Sequence, residues 1–163
     1  MAPTQKSILQ SYSYLNCDVI SLLNSYMSEL ENSRIEMRYP YELLSSGAHI
    51  WPDQYKYALS IIDNLFQSLN SIAVLTRDFS NFPLALRSKR YTLLFSLDKS
   101  LFFAKNILVS LNMNSEPSSS NIPAKPKASI LENMELLMSQ VKEVTVEIQR
   151  FLQKWEFVKS NGS

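Results

Sequence analysis

Apolar side chains that recur every three or four residues are the feature that most constrains the fold of this chain. The pattern occupies four stretches, at about 4–32, 52–78, 83–112 and 129–159. Because an α-helix turns once in about 3.6 residues, this spacing gathers the apolar side chains of each stretch on one face. The pattern predicts four amphipathic helices that bury these faces against one another.

The fourth stretch has the clearest start signal. Its apolar stripe consists of Ile130, Met134, Leu137, Val141, Val144, Ile148, Phe151, Trp155 and Val158. Ser129 and Glu132 stand three residues apart at its beginning. This is the spacing of a capping box, in which two side chains satisfy backbone N–H groups of the first turn. A helix is therefore predicted to begin at Ser129.

The predicted helices have similar lengths, which favours a simple arrangement. Helices of 25 to 30 residues are each about 40 Å long, and such helices pack side by side. We therefore predict an antiparallel up-down-up-down four-helix bundle formed by one domain over residues 1–163. Glycine occurs only at Gly47 and Gly162, which weighs against a β-rich fold and against a glycine-rich nucleotide-binding loop.

Two segments lack the helical pattern and are predicted to be connections. The first, 33–51, is interrupted by Pro40 and Gly47 but is rich in aromatic and aliphatic residues. It is predicted to be a long connection that packs partly across the bundle, with a short turn of helix at about 41–45. The second, 113–128, is dominated by Pro, Ser, Asn and Lys, so a flexible linker is predicted.

Few residues are available for catalysis or for metal binding. The chain has one histidine, His49, and one cysteine, Cys17. A histidine-containing triad, a zinc site with two histidines and a di-iron site with two histidines are therefore excluded. We interpret His49 as a structural or surface residue and Cys17 as a buried, unreactive thiol. The chain is predicted to have no catalytic activity, no metal and no cofactor.

The main charge cluster consists of Arg87, Lys89 and Arg90 at the start of the third helix. The formal net charge is only +1, so the chain has no overall field that would attract nucleic acid. Lys89 also points to a different side of the helix from the two arginines. Two interpretations are open: a contact with phosphate or an acidic partner, and an ordinary helix end with partners inside the domain.

The third helix carries a second apolar stripe on the side away from its main one. The stripe consists of Leu84, Tyr91, Phe95, Phe102 and Val109. These residues fall within a narrow arc at 100° per residue. One interpretation is that the 39–51 segment or another helix covers the stripe. The other is an exposed surface for a partner helix or for a second copy of the chain.

These observations predict a non-catalytic protein–protein interaction module, such as an adaptor, scaffold or complex subunit. Its partner is expected to be another protein, bound through a helix or short peptide, and a homodimer is possible. The alternative is a regulatory or lipid-binding bundle on membrane-trafficking or cytoskeletal machinery. A lone cysteine and no run of eighteen apolar residues predict a cytoplasmic chain without a transmembrane segment. No nucleic-acid partner is expected.

Overall fold

The computed structural model of the chain describes residues 5–78, 84–114 and 122–161, with side chains except those of 5–18, 78 and 114. Every regular element in these ranges is helical. The elements are α1 (Gln5–Glu36), α2 (Arg38–Ser45), α3 (Pro52–Asp78), a 3₁₀ turn (Leu84–Leu86), α4 (Arg87–Asn114) and α5 (Ala124–Asn161). The predicted all-α class with four long helices is confirmed.

The four long helices share one hydrophobic core. α1 contacts α3 and α5, and α4 contacts the same two helices. Ile62, Leu65 and Leu69 of α3 are fully buried, and so are Leu97 of α4 and Leu137 of α5. Full burial of a side chain of this size contributes roughly 1.5 to 3 kcal/mol. The core therefore holds the four amphipathic faces together.

The segment 33–51, predicted as a long connection, is largely helical. α1 continues to Glu36, and α2 begins after Met37, whose side chain is fully buried. Pro40 does not interrupt α2 because it lies in the first turn, where backbone N–H groups have no partner within the helix. Gly47, with a φ of 71°, follows α2 in the left-handed conformation that commonly ends a helix.

α2 is packed against the long helices rather than exposed as a solvated loop. It contacts α1, α3 and α5, and it buries Leu44 against them. The Tyr41 hydroxyl donates a 2.5 Å hydrogen bond to Glu135 Oε1 on α5. This bond raises the pKa of Tyr41 above its ordinary value, because the phenol that donates to a carboxylate is favoured over the phenolate.

The predicted start of the fourth long helix is wrong. α5 begins at Ala124 rather than at Ser129, and the Lys127 N–H donates to the Pro123 carbonyl at 3.0 Å in the first turn. Pro126 lies in that turn, where its missing N–H costs nothing. Ile122, two residues before the start of α5, is buried and holds the beginning of this helix against the bundle. Ser129 therefore lies inside the helix and does not cap it.

The segment 113–128, predicted as a flexible linker, is helical at both of its ends. α4 extends to Asn114 and α5 starts at Ala124, so helix occupies both ends of the predicted linker. Most of the remaining residues between these helices lie outside the described ranges.

Hydrogen bonds join both ends of α3 to α4. The Tyr55 hydroxyl donates to the Leu111 carbonyl. At the other end of α3, Arg90 Nε donates to the Thr76 carbonyl at 2.8 Å and Arg90 Nη2 donates to the Arg77 carbonyl at 2.6 Å. The last carbonyls of a helix have no partner within it, so Arg90 caps the C-terminal end of α3.

One described helix is long and apolar enough to cross a membrane, namely residues Pro52–Arg77 of α3, which contain a window of mean hydropathy 1.3. Residues of this helix are also the centre of the bundle core, including the fully buried Ile72 and Ala73. The core helix of a bundle passes the same test of length and composition. The apolar content of α3 is therefore weak evidence for a membrane span.

Candidate functional site

α4 has two apolar faces, of which only one is buried. Leu93, Leu97 and Ile107 on the inner face are fully buried. The predicted second stripe lies on the outer face, except for Leu84, which belongs to the 3₁₀ turn before α4. Its exposed fractions are Leu84 79%, Tyr91 62%, Phe95 63%, Phe102 62% and Val109 47%. Neither the 39–51 segment nor another described helix covers these side chains, so the stripe is open to solvent. Its role in binding a partner stays a prediction.

Two further residues extend this surface and were not predicted from the sequence. Met113 of α4 is 77% exposed and follows Val109 by four residues, so one more turn of the same pattern would have included it. Leu136 of α5 is 43% exposed, and only the packing of α5 beside α4 brings it to the stripe. We name Tyr91, Phe95, Phe102, Val109 and Met113 the outer stripe of α4.

A shallow groove borders the outer stripe, between α4 and α5. It has a volume of about 370 Å³, and its walls include Phe95, Phe102 and Phe103 from α4 and Leu136 from α5. The rings of Phe102 and Phe103 meet edge to face, with centroids 5.9 Å apart. Such a groove suits apolar side chains of a partner better than a charged small molecule.

Besides the charged side chains of Asp98 and Lys99, the groove wall contains one buried polar atom. Gln140 also lines the groove, and its Oε1 is buried without a hydrogen-bond partner among the described residues. A buried acceptor that stays unpaired costs about 1 to 3 kcal/mol.

Charges of both signs flank the outer stripe. Lys99 Nζ lies 4.6 Å from the centre of the Phe95 ring, a cation–π contact that covers one face of the ring. On the other flank, Asp98 accepts a 3.1 Å hydrogen bond from Arg77 of α3, and Lys105 is exposed. The apolar stripe thus has a polar rim, as protein interfaces do.

The three basic residues predicted as a phosphate or acidic-partner site do not have equal roles. Arg87 is exposed and Lys89 is half-buried. Arg90 is engaged inside the fold, where it caps α3, and a cation there is favoured by the helix dipole. For Arg90 the structure therefore supports the interpretation of a helix end with internal partners. A phosphate or acidic contact stays a prediction for Arg87 and Lys89.

Of the two residues considered for catalysis, only His49 has a side chain that the structure describes. His49 is exposed, and its ring packs edge to face against Trp51 at 4.6 Å. The side chain of Cys17 lies outside the described side chains, so the prediction of a buried thiol is untested there. Within the part of the chain that the structure describes, no group of three His, Cys, Asp or Glu side chains could hold a metal ion.

Comparisons with protein-family models, with curated protein sequences and with solved structures gave no match to this chain.

Proposed function

We propose that this chain is a non-catalytic protein–protein interaction module that binds its partner at the outer stripe of α4. The observation that carries the proposal is the exposure of Tyr91, Phe95 and Phe102, each more than 60% exposed on one helix face. Three aromatic side chains exposed to this extent present on the order of 400 Å². A typical monomer has its largest apolar patch at about this size, and such patches are often functional.

Burial of the outer stripe gains a free energy of the size that association needs. At about 25 cal/mol per Å², covering the three aromatic side chains gains on the order of 10 kcal/mol before the costs of association. Those costs are about 4 to 15 kcal/mol. The aromatic side chains alone would therefore support weak binding, and Val109, Met113 and the groove beside Leu136 add to it.

We also propose that the bundle is antiparallel, with α2 as the packed connection between α1 and α3. The hydrogen bonds described above support this for α3 and α4, because Tyr55 at the start of α3 contacts Leu111 at the end of α4. Arg90 at the start of α4 contacts Thr76 at the end of α3. In this topology α4 is fixed on two sides, so the outer stripe is presented on a rigid element.

The shape of the outer stripe favours a helical partner. The stripe runs from Tyr91 to Met113, which is about 33 Å of helix. Its members follow one another at intervals of four and seven residues, and an amphipathic helix places its own apolar anchors at these intervals. A partner helix can therefore lie along α4 and match the stripe over its length.

Replacement of Phe102 by Asp tests the proposal. Phe102 is 62% exposed, so F102D should leave helicity and melting temperature nearly unchanged while it removes partner binding, because a charge in the centre of an apolar interface is left unpaired. Phe157 of α5 is also exposed, at 57%, and F157D is the matched control.

The measurement is affinity capture with quantitative mass spectrometry for the wild-type chain, F102D and F157D. Each candidate partner that F102D alone fails to capture is then purified and titrated against the three forms. We expect F102D to weaken the titrated affinity at least tenfold and F157D to leave it unchanged. Equal affinity of F102D and wild type for every purified partner would contradict the proposal.

A further inference from the structure

The outer stripe of α4 has a symmetry that a surface for an unrelated partner does not need. Phe102 is its central residue. Phe95 and Val109 lie seven residues to either side, and Tyr91 and Met113 lie eleven residues to either side. All five side chains are exposed. The stripe therefore has the same spacing when it is read from either end.

We propose that the occupant of the outer stripe is a second copy of this chain, whose α4 lies antiparallel across a two-fold axis at Phe102. This inference rests on the proposed function, which makes the stripe an interface. In a two-fold interface, residue i contacts residue j and residue j contacts residue i. Phe102 meets the partner's Phe102, Phe95 meets the partner's Val109, and Tyr91 meets the partner's Met113. Each larger aromatic residue away from the axis thus faces a smaller or more flexible one.

The charges beside the stripe match the same arrangement. Asp98 and Lys105 are exposed and lie on one flank of α4, two turns apart and on either side of Phe102. Around this axis, Asp98 lies opposite the partner's Lys105, and the pair occurs twice. Asp98 already accepts a 3.1 Å hydrogen bond from Arg77 of its own chain. The dimer would therefore place this carboxylate between Arg77 and the partner's Lys105. On the other flank, Lys99 lies opposite the partner's Asn106, without a like-charge contact.

The surface available is close to what a dimer needs. The five side chains of the stripe expose on the order of 600 Å² per copy, and specific interfaces of standard size bury about 800 Å² per copy. The side chains of the flanks supply the difference. Interfaces near this size have dissociation constants from micromolar to picomolar, and we expect the micromolar end of the range because this one has few buried polar contacts.

Charge reversal tests the pairing without touching the apolar core. In D98K the introduced lysine would face the partner's Lys105, and in K105D the introduced aspartate would face the partner's Asp98. Each variant alone should dimerise about tenfold more weakly than wild type. In an equal mixture of the two variants, every facing pair of a mixed dimer has opposite charges, so dimer affinity should return to near the wild-type value.

Sedimentation velocity from about 1 to 100 µM measures the wild type, the two variants and their mixture. E143K, a reversal of an exposed charge on α5, is the control and should dimerise like the wild type. A mixture that dimerises no better than either variant alone would overturn the pairing of Asp98 with Lys105.

Cysteine cross-linking tests the direction of the two helices. Cys17 is first replaced by Ser. In an antiparallel dimer, F95C and V109C chains mixed together should form a disulfide, and F95C alone should not, because two such residues would be about 21 Å apart. Efficient cross-linking of F95C alone would show parallel helices and overturn the assignment.

The failure of this inference can be told apart from failure of the proposed function. A wild-type chain that is monomeric over the whole concentration range overturns the second copy as the occupant. If F102D then still prevents binding of a purified partner, the outer stripe is an interface for a different protein. If F102D changes nothing in either assay, both proposals are wrong.

Discussion

At the scale of single residues, Glu147 is the position whose environment is least expected from its chemistry. Its side chain is 6% exposed on α5, where most neighbours in the core are apolar. Arg150 Nη1 donates a 2.8 Å hydrogen bond to Glu147 Oε1, and Arg150 itself is 57% exposed. A buried carboxylate costs several kcal/mol unless it is paired. Arg150 is therefore a stabilising residue although it lies largely in solvent.

Replacement of Arg150 by Ala should lower the free energy of unfolding by about 1 to 2 kcal/mol, because the carboxylate of Glu147 is left buried without its cation. The exposure of Arg150 keeps the loss below that of a fully buried pair. The control is R38A: Arg38 pairs with Glu42 at 2.8 Å, but the two side chains are 83% and 62% exposed, so the loss should be within about 0.5 kcal/mol. Urea titrations followed by circular dichroism measure both values. Equal losses would show that the burial of Glu147 has no energetic consequence.

At the scale of helices, two helix starts contain a proline that the sequence alone could equally place in a loop. Pro40 and Pro126 each lie in the first turn of a helix, α2 and α5, although a proline is equally common in loops. The local sequence does not tell whether such a proline begins a helix or lies in a loop. Tertiary packing decides in favour of a helix here, because the buried side chains of Met37 and Ile122 hold the chain beside the bundle where each helix begins.

Replacement of Ser129 by Ala tests the corrected start of α5. Ser129 is exposed and lies inside the helix, so S129A should keep or slightly raise the free energy of unfolding, by up to about 0.5 kcal/mol, because alanine has the higher helix propensity. A serine that capped the helix would instead cost about 1 kcal/mol on replacement. Urea titration measures the difference, and a loss of that size would restore the predicted capping box.

The existence of the long helices could be predicted because each buries one continuous face. The spacing that places Leu93 and Leu97 on the inner face of α4 also places Tyr91, Phe95 and Phe102 on the opposite one. Their exposure could not be predicted in the same way, since it depends on whether another segment crosses α4. Nothing local to Leu136 indicated that it would lie beside the stripe, because that position follows from the contact between α4 and α5.

At the scale of the whole molecule, the outer face of α4 differs from the outer faces of the other helices. Among the side chains that the structure describes on the other helices, exposed large apolar residues stand singly, such as Val74 on α3, or form a small contact, such as the Tyr39 and Tyr57 rings with centroids 5.1 Å apart. Isolated residues of this kind are normal on protein surfaces. On α4 they form one line over most of the helix. A bundle of four helices needs only one apolar face from each, so the second face of α4 is available for a partner.

This division of α4 between core and surface predicts losses of very different size for two large-to-small substitutions. Leu97 is fully buried and Phe102 is 62% exposed. L97A should lower the free energy of unfolding by about 2 to 4 kcal/mol, since it removes buried methyl groups and leaves a cavity. F102A should change it by no more than about 1 kcal/mol, through the lost edge-to-face contact with Phe103. Urea titration at a protein concentration low enough for the monomer separates folding from association. A loss from F102A as large as that from L97A would show that the outer stripe belongs to the core, and the division of α4 into two faces would then be wrong.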